Sequence, residues 1–112
     1  MSDEKRKSKK RIYISGPMTG FEDFNRCTFK LFEHAIKRCE GWAVVNPAAI
    51  DVADSAGGIL LEHDEYLELD MMVLGHCDAI FMMPGWENSK GAVMEYKKAK
   101  ELNLEIYGFV SA

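Results

Sequence analysis

Residues 77–83 read Cys-Asp-Ala-Ile-Phe-Met-Met, an almost continuous apolar run. A run of this kind is typical of a central strand in a parallel sheet, because helices cover both faces of such a strand. Apolar residues at helical spacing precede the run from Leu60 to Cys77 and follow it from Ser89 to Asn103. The stretch therefore predicts an α/β domain with this strand inside its sheet.

The remaining elements continue the alternation of strands and helices. Further strands are predicted at Ile12–Ser15, Ala43–Val45 and Ile106–Val110, a helix at Phe24–Glu40 and a loop at Ala48–Gly58. This order indicates a parallel sheet of about four to five strands, joined by right-handed crossovers.

Ligands of open parallel sheets bind beyond the carboxyl ends of the strands. We therefore expect the chemistry at Ser15–Gly20, Asn46–Pro47 and Pro84–Ser89. The first of these segments is a Gly-rich turn without the GxGxxG pattern or the P-loop lysine. The sequence thus supports neither dinucleotide binding nor ATP hydrolysis.

Charge is distributed unevenly along a chain of otherwise ordinary globular composition. Of 112 residues, 47% are hydrophobic and 29% charged. Six of the 14 basic residues lie in the first eleven positions, which leaves 8 basic and 16 acidic residues from Ile12 onward. We interpret residues 1–11 as a basic, disordered tail and residues 12–112 as a single domain, the alternative being a tail that contacts RNA or a membrane surface. Because the body carries a formal charge of −8, no stable nucleic-acid complex is expected.

The cysteines favour a reducing compartment. Cys27 and Cys39 share the predicted first helix, where twelve residues separate them by about 18 Å, beyond the roughly 7 Å reach of a disulfide. Neither these nor Cys77 form a pair with zinc-ligand spacing. No apolar run approaches the roughly 18 residues of a membrane helix, and no secretory signal is evident. We expect a cytoplasmic protein with no metal site and no membrane partner.

Two carboxylates fall on the apolar stripes of predicted helices. Asp70 lies on the stripe of the helix from Leu60, and Glu95 lies on that of the last helix, with Ala92, Ala99 and Leu102. Each can be a structural acid, paired with a backbone donor, a lysine or a helix N-terminus. Two inward acids at one sheet edge favour a catalytic role over a structural one. Paired carboxylates that face one cleft are the usual catalytic groups for cleavage of a glycosidic bond.

Two further residues near these strand ends are candidates. Ser89 opens a helix where free N–H groups and the helix dipole favour an anion, although an ordinary N-cap is the simpler interpretation. Trp86, in the preceding loop, can stack on a base or cover a subunit interface.

Five stretches in this order resemble the nucleoside 2-deoxyribosyltransferase-like superfamily, and within it a small branch found in bacteria and their phages. They are Ile-Tyr-Ile-Ser-Gly-Pro-Met-Thr-Gly (12–20), Val-Val-Asn-Pro-Ala (44–48), Tyr-Leu-x-x-Asp (66–70), Cys-Asp-Ala-Ile (77–80) and Ser-x-Gly-Ala-x-x-Glu (89–95). The resemblance implies a flavodoxin-like fold and cleavage of the N-glycosidic bond of deoxynucleosides or their 5′-monophosphates. It also implies a homo-oligomer and a mechanism that needs no metal or organic cofactor.

The resemblance further implies roles for individual residues. Glu95 matches the nucleophile that attacks C1′ of the sugar, and Asp70 matches the aspartate that engages the nucleobase and manages its proton. The substrate pocket is expected to include Tyr13, Ser15, Gly16, Met18, Gly20, Asn46, Trp86, Ser89 and Gly91.

Two departures from the transferases favour a hydrolase. Ser89 stands six residues before the nucleophile, where transferases carry an aspartate; it resembles the deoxynucleoside 5′-monophosphate N-hydrolases, in which a serine helps hold the phosphate. The chain also ends at Ala112, without the C-terminal extension that completes a neighbour's site in transferases. The sequence therefore predicts hydrolysis of a 2′-deoxynucleoside 5′-monophosphate. Base exchange and a non-catalytic nucleotide-binding or sensing module are the alternatives.

Overall fold

The computed structural model describes residues 9–18, 22–48 and 63–110. Its strands are β1 (Lys10–Ser15), β2 (Trp42–Val45), β3 (Ala79–Met82) and β4 (Glu105–Gly108). Its α-helices are α1 (Arg26–Lys37), α2 (His63–Leu74) and α3 (Lys90–Glu101). Short 3-10 helices, Glu22–Asn25 and Trp86–Asn88, precede α1 and α3.

The strands form a parallel sheet in the order β2-β1-β3-β4. In the centre, Ile12 of β1 is paired with Val44 of β2 on one side and with Ala79 of β3 on the other. Ala79 is in turn paired with Glu105 of the edge strand β4. The predicted α/β class and parallel sheet are confirmed, and with helices on both faces the fold is flavodoxin-like.

The two faces of the sheet bury separate apolar clusters. Ile12 and Ile14 of β1 pack with Phe29 of α1 on one face. Tyr13 belongs to the cluster on the other face, formed with residues of α2 and α3. Because successive side chains of a strand point to opposite faces, Ser15 lies on the same face as Tyr13. Both side chains are 0% exposed, so β1 presents two buried hydroxyls towards α2 and α3.

The first strand and helix begin at positions that differ from the predicted ones. β1 starts at Lys10 instead of Ile12, because the N–H of Lys10 donates to the carbonyl of Gly41 and extends the sheet. The predicted helix start at Phe24 falls in the 3-10 helix, and Asn25 has a φ of 64°, so α1 begins at Arg26. Residues 1–8 of the predicted tail lie outside the described residues.

The later elements are mostly shorter than predicted. The helix from Leu60 was expected to reach Cys77, but α2 ends at Leu74 and a turn at Gly75 and His76 follows. Leu102, expected on a buried stripe, is the C-cap residue of α3 and is 39% exposed. Ala48 is helical, so the predicted loop is wrong at its first residue; residues 49–58 lie outside the described part of the chain.

Candidate active site

Glu95 occupies the second turn of α3, the helix that follows β3. The helix begins after Ser89, whose Oγ accepts a hydrogen bond from the N–H of Ala92 at 3.2 Å, as the sequence predicted for an N-cap. One turn later the side chain of Glu95 points towards the sheet and is 6% exposed. The predicted inward orientation of this carboxyl is confirmed.

Two hydroxyls of β1 hold the Glu95 carboxyl from the sheet side. Tyr13 donates its phenolic proton to Oε2 at 2.7 Å, and Ser15 donates its hydroxyl proton to Oε1 at 2.6 Å. Distances this short are typical of hydrogen bonds from a hydroxyl to an ionised carboxylate. Residues two apart on a strand share a face, so both donors reach the same carboxyl.

The electrostatic environment sets which of these groups titrates near neutral pH. Burial raises the pKa of Glu95 from 4.5 to about 7, and the hydrogen bonds from Ser15 and Tyr13 act in the opposite direction. The pKa of Tyr13 is raised well above 10.0, first by burial and then by the negative charges of Glu95 and Asp70. Tyr13 therefore remains a proton donor at neutral pH, whereas Glu95 exchanges its proton there.

Asp70, the second predicted acid, lies on α2 and is half-buried. Its charge contributes to the raised pKa of Tyr13, so it acts on the same buried hydroxyl that binds Glu95. The two helices approach closely at Gly91, where an added Cβ would lie 3.3 Å from Cδ2 of Leu67. Leu67 is one turn from Asp70, and Gly91 is one turn from Glu95. The role of Gly91 in this structure is thus close packing of the two acid-bearing helices.

The turn after β1 is shaped by packing. A Cβ at Gly16 would lie 2.8 Å from both Cβ and Sδ of Met83, so glycine leaves room for this buried methionine. Met18 is partly buried against the apolar cluster on the α1 face. The predicted pocket residue Gly20 lies outside the described residues. Met83 was not among the predicted site residues; the signal for it was its place as the last residue of the apolar run, directly after β3.

Asn46, a predicted substrate contact, uses both polar groups of its side chain in hydrogen bonds within the protein. Its Nδ2 donates to Oε1 of Glu33 at 2.9 Å, and its Oδ1 accepts from the N–H of Ala48 at 3.0 Å. Glu33 is further engaged by Lys37 at 2.8 Å. These contacts make Asn46 the cap of the helical turn that starts at Pro47 and do not support a substrate contact.

Trp86 is also a packing residue in this structure. The residue is 8% exposed, and its ring centroid lies 4.6 Å from that of Tyr96 on α3. Its indole Nε1 donates to the carbonyl of Phe109 at 2.7 Å. The indole therefore ties the loop after β3 to the segment after β4, and little of it is open to a base. The sequence contained no signal for the hydrogen bond between the Trp86 indole and Phe109, because the acceptor is a backbone carbonyl, which every residue carries.

Three further features of the described residues concern metal binding, membrane insertion and thiol reactivity. Within residues 9–18, 22–48 and 63–110, no group of three or more His, Cys, Asp and Glu side chains is placed to hold a metal ion. Across those ranges, no helix combines the length and apolar character needed to span a bilayer. Burial raises the pKa of the Cys77 thiol to about 11, which makes this cysteine a poor nucleophile.

Comparison with known proteins gives a structural neighbour and a family. The fold is similar to that of the 2-desoxiribosyltransferase from Leishmania mexicana, with a TM-score of 0.65 and 20% sequence identity over 89% of this chain. At this identity the likeness concerns the fold, and this chain covers 63% of the length of that protein. No curated protein matches the sequence. The model of a family described as a domain of unknown function, DUF4406, matches residues 10–108, and the chain therefore belongs to the DUF4406 family.

Proposed function

We propose that the protein hydrolyses the N-glycosidic bond of a 2′-deoxynucleoside 5′-monophosphate, with Glu95 as the nucleophile. The observation that carries this proposal is the Glu95 carboxyl, 6% exposed and held by Tyr13 and Ser15 of a central strand. A buried acid with a perturbed pKa and defined partners is characteristic of catalytic sites. The shared fold with a deoxyribosyltransferase supports chemistry on nucleosides.

The proposed reaction takes place in two displacements at C1′ of the sugar. First, a lone pair of Glu95 forms a bond to C1′ while the C1′–N bond breaks; its electron pair goes to the base nitrogen, to which Asp70 supplies a proton. Water then adds to C1′, Asp70 takes up a proton from this water, and the bond between Glu95 and C1′ breaks. The net reaction consumes one water and releases free base and 2-deoxyribose 5-phosphate.

The environment of Glu95 suits the first displacement and makes the second more demanding. With a pKa of about 7, the carboxyl is about half ionised at neutral pH, and the ionised form is the nucleophile. The hydrogen bonds from Tyr13 and Ser15 stabilise that form within an apolar surrounding. A carboxylate with a raised pKa also leaves C1′ less readily than an ordinary one, so the second displacement needs help, which we assign to Asp70.

The start of α3 is the proposed phosphate site. Ser89 accepts from the N–H of Ala92 and retains its own hydroxyl proton, which is free to be donated to a phosphate oxygen. The amides of Lys90 and Gly91 belong to the first turn, where helical N–H groups have no carbonyl partner within the helix. A 5′-phosphate at this point gains those donors together with the helix dipole.

The deciding experiment is incubation with a panel of nucleosides and their 5′-monophosphates, followed by chromatography for free base. Glu95→Gln is the inactive control, and Glu101→Gln, at the exposed end of the same helix, is the matched control for loss of a carboxylate. Release of base from 2′-deoxynucleoside 5′-monophosphates by the parent and by Glu101→Gln, but not by Glu95→Gln, supports the proposal. Tight nucleotide binding without turnover contradicts it and indicates a sensing module.

Base exchange is the second candidate, because the structural neighbour is named as a transferase. It predicts a new nucleoside or nucleotide when a second free base is added to the same reaction. A homo-oligomer, as the family resemblance implied, is part of the proposal, and sedimentation equilibrium measures it directly.

A further inference from the structure

Ser15 is a buried hydroxyl whose position differs from that of a pocket-lining residue. The residue is 0% exposed, and its Oγ lies 2.6 Å from Oε1 of Glu95. A serine has one hydroxyl proton, and here that proton is donated to the carboxylate. The side chain thus acts on the reacting group and has no exposed surface to offer a substrate.

We propose that Ser15 is a positioning residue, which holds Oε1 so that the Glu95 carboxyl is ionised and fixed in one orientation when the substrate binds. The kinetic part of this inference rests on the proposed function; the electrostatic part does not. With Tyr13 bound to Oε2 at 2.7 Å, each oxygen of Glu95 has its own donor. A carboxyl held at one oxygen turns about its terminal bond, whereas one held at both keeps its plane.

The strand that carries the two donors makes this orientation rigid. β1 is paired on both sides, with Tyr13 opposite Val45 of β2 and Ile80 of β3. The N–H of Met83 donates to the carbonyl of Ser15 at 2.8 Å, which fixes the backbone at the strand end. The hydroxyl of Ser15 is therefore supplied from a well-anchored position in the sheet.

The charged and titratable groups around Glu95 allow a direct test. Burial and the hydrogen bonds from Ser15 and Tyr13 are the main influences on its pKa. Asp70 of α2 and Cys77, before β3, act on Tyr13. Burial raises the pKa of Glu95, and the hydroxyls of Ser15 and Tyr13 lower it. Loss of the Ser15 hydroxyl is therefore expected to raise the pKa of Glu95 further.

The first measurement is the titration of Glu95 by NMR, with glutamate labelled at the carboxyl carbon and Glu95→Gln used to assign the signal. Ser15→Ala is expected to raise the titration midpoint by about one pH unit, as for loss of one hydrogen bond to a charged group. The Glu95 midpoint in Ser15→Cys, whose thiol is a weaker donor, is expected to lie between those of the parent and Ser15→Ala. The midpoint in Ser15→Thr, which keeps the hydroxyl, is expected to match that of the parent. Ile14→Val is the control, because it loosens the same strand on the opposite face.

The second measurement separates positioning from substrate contact. Ser15→Ala is expected to lower kcat by about ten-fold, with KM changed by less than about two-fold. It is also expected to move the acidic limb of the kcat/KM profile, which reports the free enzyme, by the same amount as the titration. A raised KM with an unchanged Glu95 midpoint overturns the inference and makes Ser15 a substrate contact. If no nucleoside or nucleotide is cleaved, the proposed function is wrong, and the role of Ser15 towards Glu95 is then tested by the titration alone. A midpoint in Ser15→Ala equal to that in Ile14→Val then refutes the role of Ser15.

Discussion

Gly91 of α3 lies against Leu67 of α2 so closely that an added Cβ would be 3.3 Å from Cδ2 of the leucine. Contacts of that length require the neighbouring side chain to shift by a few tenths of an ångström. The leucine and Asp70 share one face of α2, and the glycine and Glu95 share one face of α3. The absence of a side chain at position 91 therefore allows the two helices that carry the proposed catalytic acids to approach this closely.

Gly91→Ala is expected to lower turnover by about ten-fold without unfolding the protein. The alanine improves helix propensity by about 1 kcal/mol, which offsets the cost of displacing Leu67. It also moves α2 outward, and small misplacements of catalytic groups are costly to rate. Assay of kcat beside a thermal melt tests this, with Lys97→Ala, at an exposed position of the same helix, as the control. A fall in melting temperature in proportion to the lost activity would contradict the positional explanation.

Glu95→Gln is expected to abolish turnover, by several orders of magnitude, while binding of the nucleotide persists. The amide keeps the shape of the side chain but is no nucleophile, and loss of a nucleophile within a catalytic unit has effects of about this size. Calorimetric titration with the non-hydrolysed nucleotide measures binding, and base release measures turnover. Turnover at the rate of the parent would exclude Glu95 as the nucleophile.

The pH dependence of stability is expected to differ between the parent and Glu95→Gln. The folded-state pKa of about 7 lies above the ordinary value of 4.5, so the folded protein holds this proton more tightly than the unfolded chain does. The stabilisation is fully present below about pH 4.5 and is lost as the pH rises through about 7, by about 3 kcal/mol in all. Urea unfolding of both proteins from pH 4 to pH 8 measures the difference. Parallel curves for the two proteins would show that Glu95 titrates normally.

Asp70→Asn is expected to lower kcat by about 10² to 10⁴ and to leave KM nearly unchanged. The amide preserves size and hydrogen bonding but cannot deliver or accept the proton of the departing base. Glu68→Gln, at an exposed position of α2, controls for loss of charge on the same helix. An effect confined to KM would make Asp70 a binding residue.

Ser89→Asp is expected to reduce turnover of 5′-monophosphates sharply and to affect unphosphorylated nucleosides far less. Aspartate caps a helix as well as serine does, so the fold is retained, but its charge repels a phosphate at the same N-terminus. Ser89→Asn is the matched variant, because it is also a good cap and carries no charge. If the parent already prefers nucleosides to their monophosphates, the phosphate site at Ser89 is wrong.

Helical periodicity was sufficient to orient Glu95, because an acid on an apolar stripe must turn towards the core. It placed Asp70 on the same kind of stripe, where the structure has it half-buried. The partners of buried groups could not be predicted in this way. The bond from Trp86 to the carbonyl of Phe109 and the need for glycine at position 16 depend on which segments meet in space. Periodicity describes the faces of a single helix or strand, whereas these contacts form between two segments that are distant in the sequence.

The exact ends of the helices and strands also could not be predicted from the spacing of apolar residues. Leu102 continues the spacing of α3, but the helix ends at Glu101 and the leucine is left 39% exposed. Likewise, the extension of β1 to Lys10 depends on a carbonyl of the turn at Gly41, which the residues of β1 do not encode. Local sequence favours a helix or strand, and tertiary hydrogen bonds decide where it stops.

The hydrogen bonds from Tyr13 and Ser15 to Glu95 join positions 82 and 80 residues apart in the chain. Contacts of such long range form late in folding, because a large loop must close first. α3 can form early as a local helix, but its carboxyl stays unoriented and in water until β1 is in place. During synthesis β1 emerges first, and it cannot complete its pairing until β3 has been made. A stalled or truncated chain that lacks α3 therefore lacks the proposed nucleophile, and the proposed activity requires the whole sheet and its last helix to be in place.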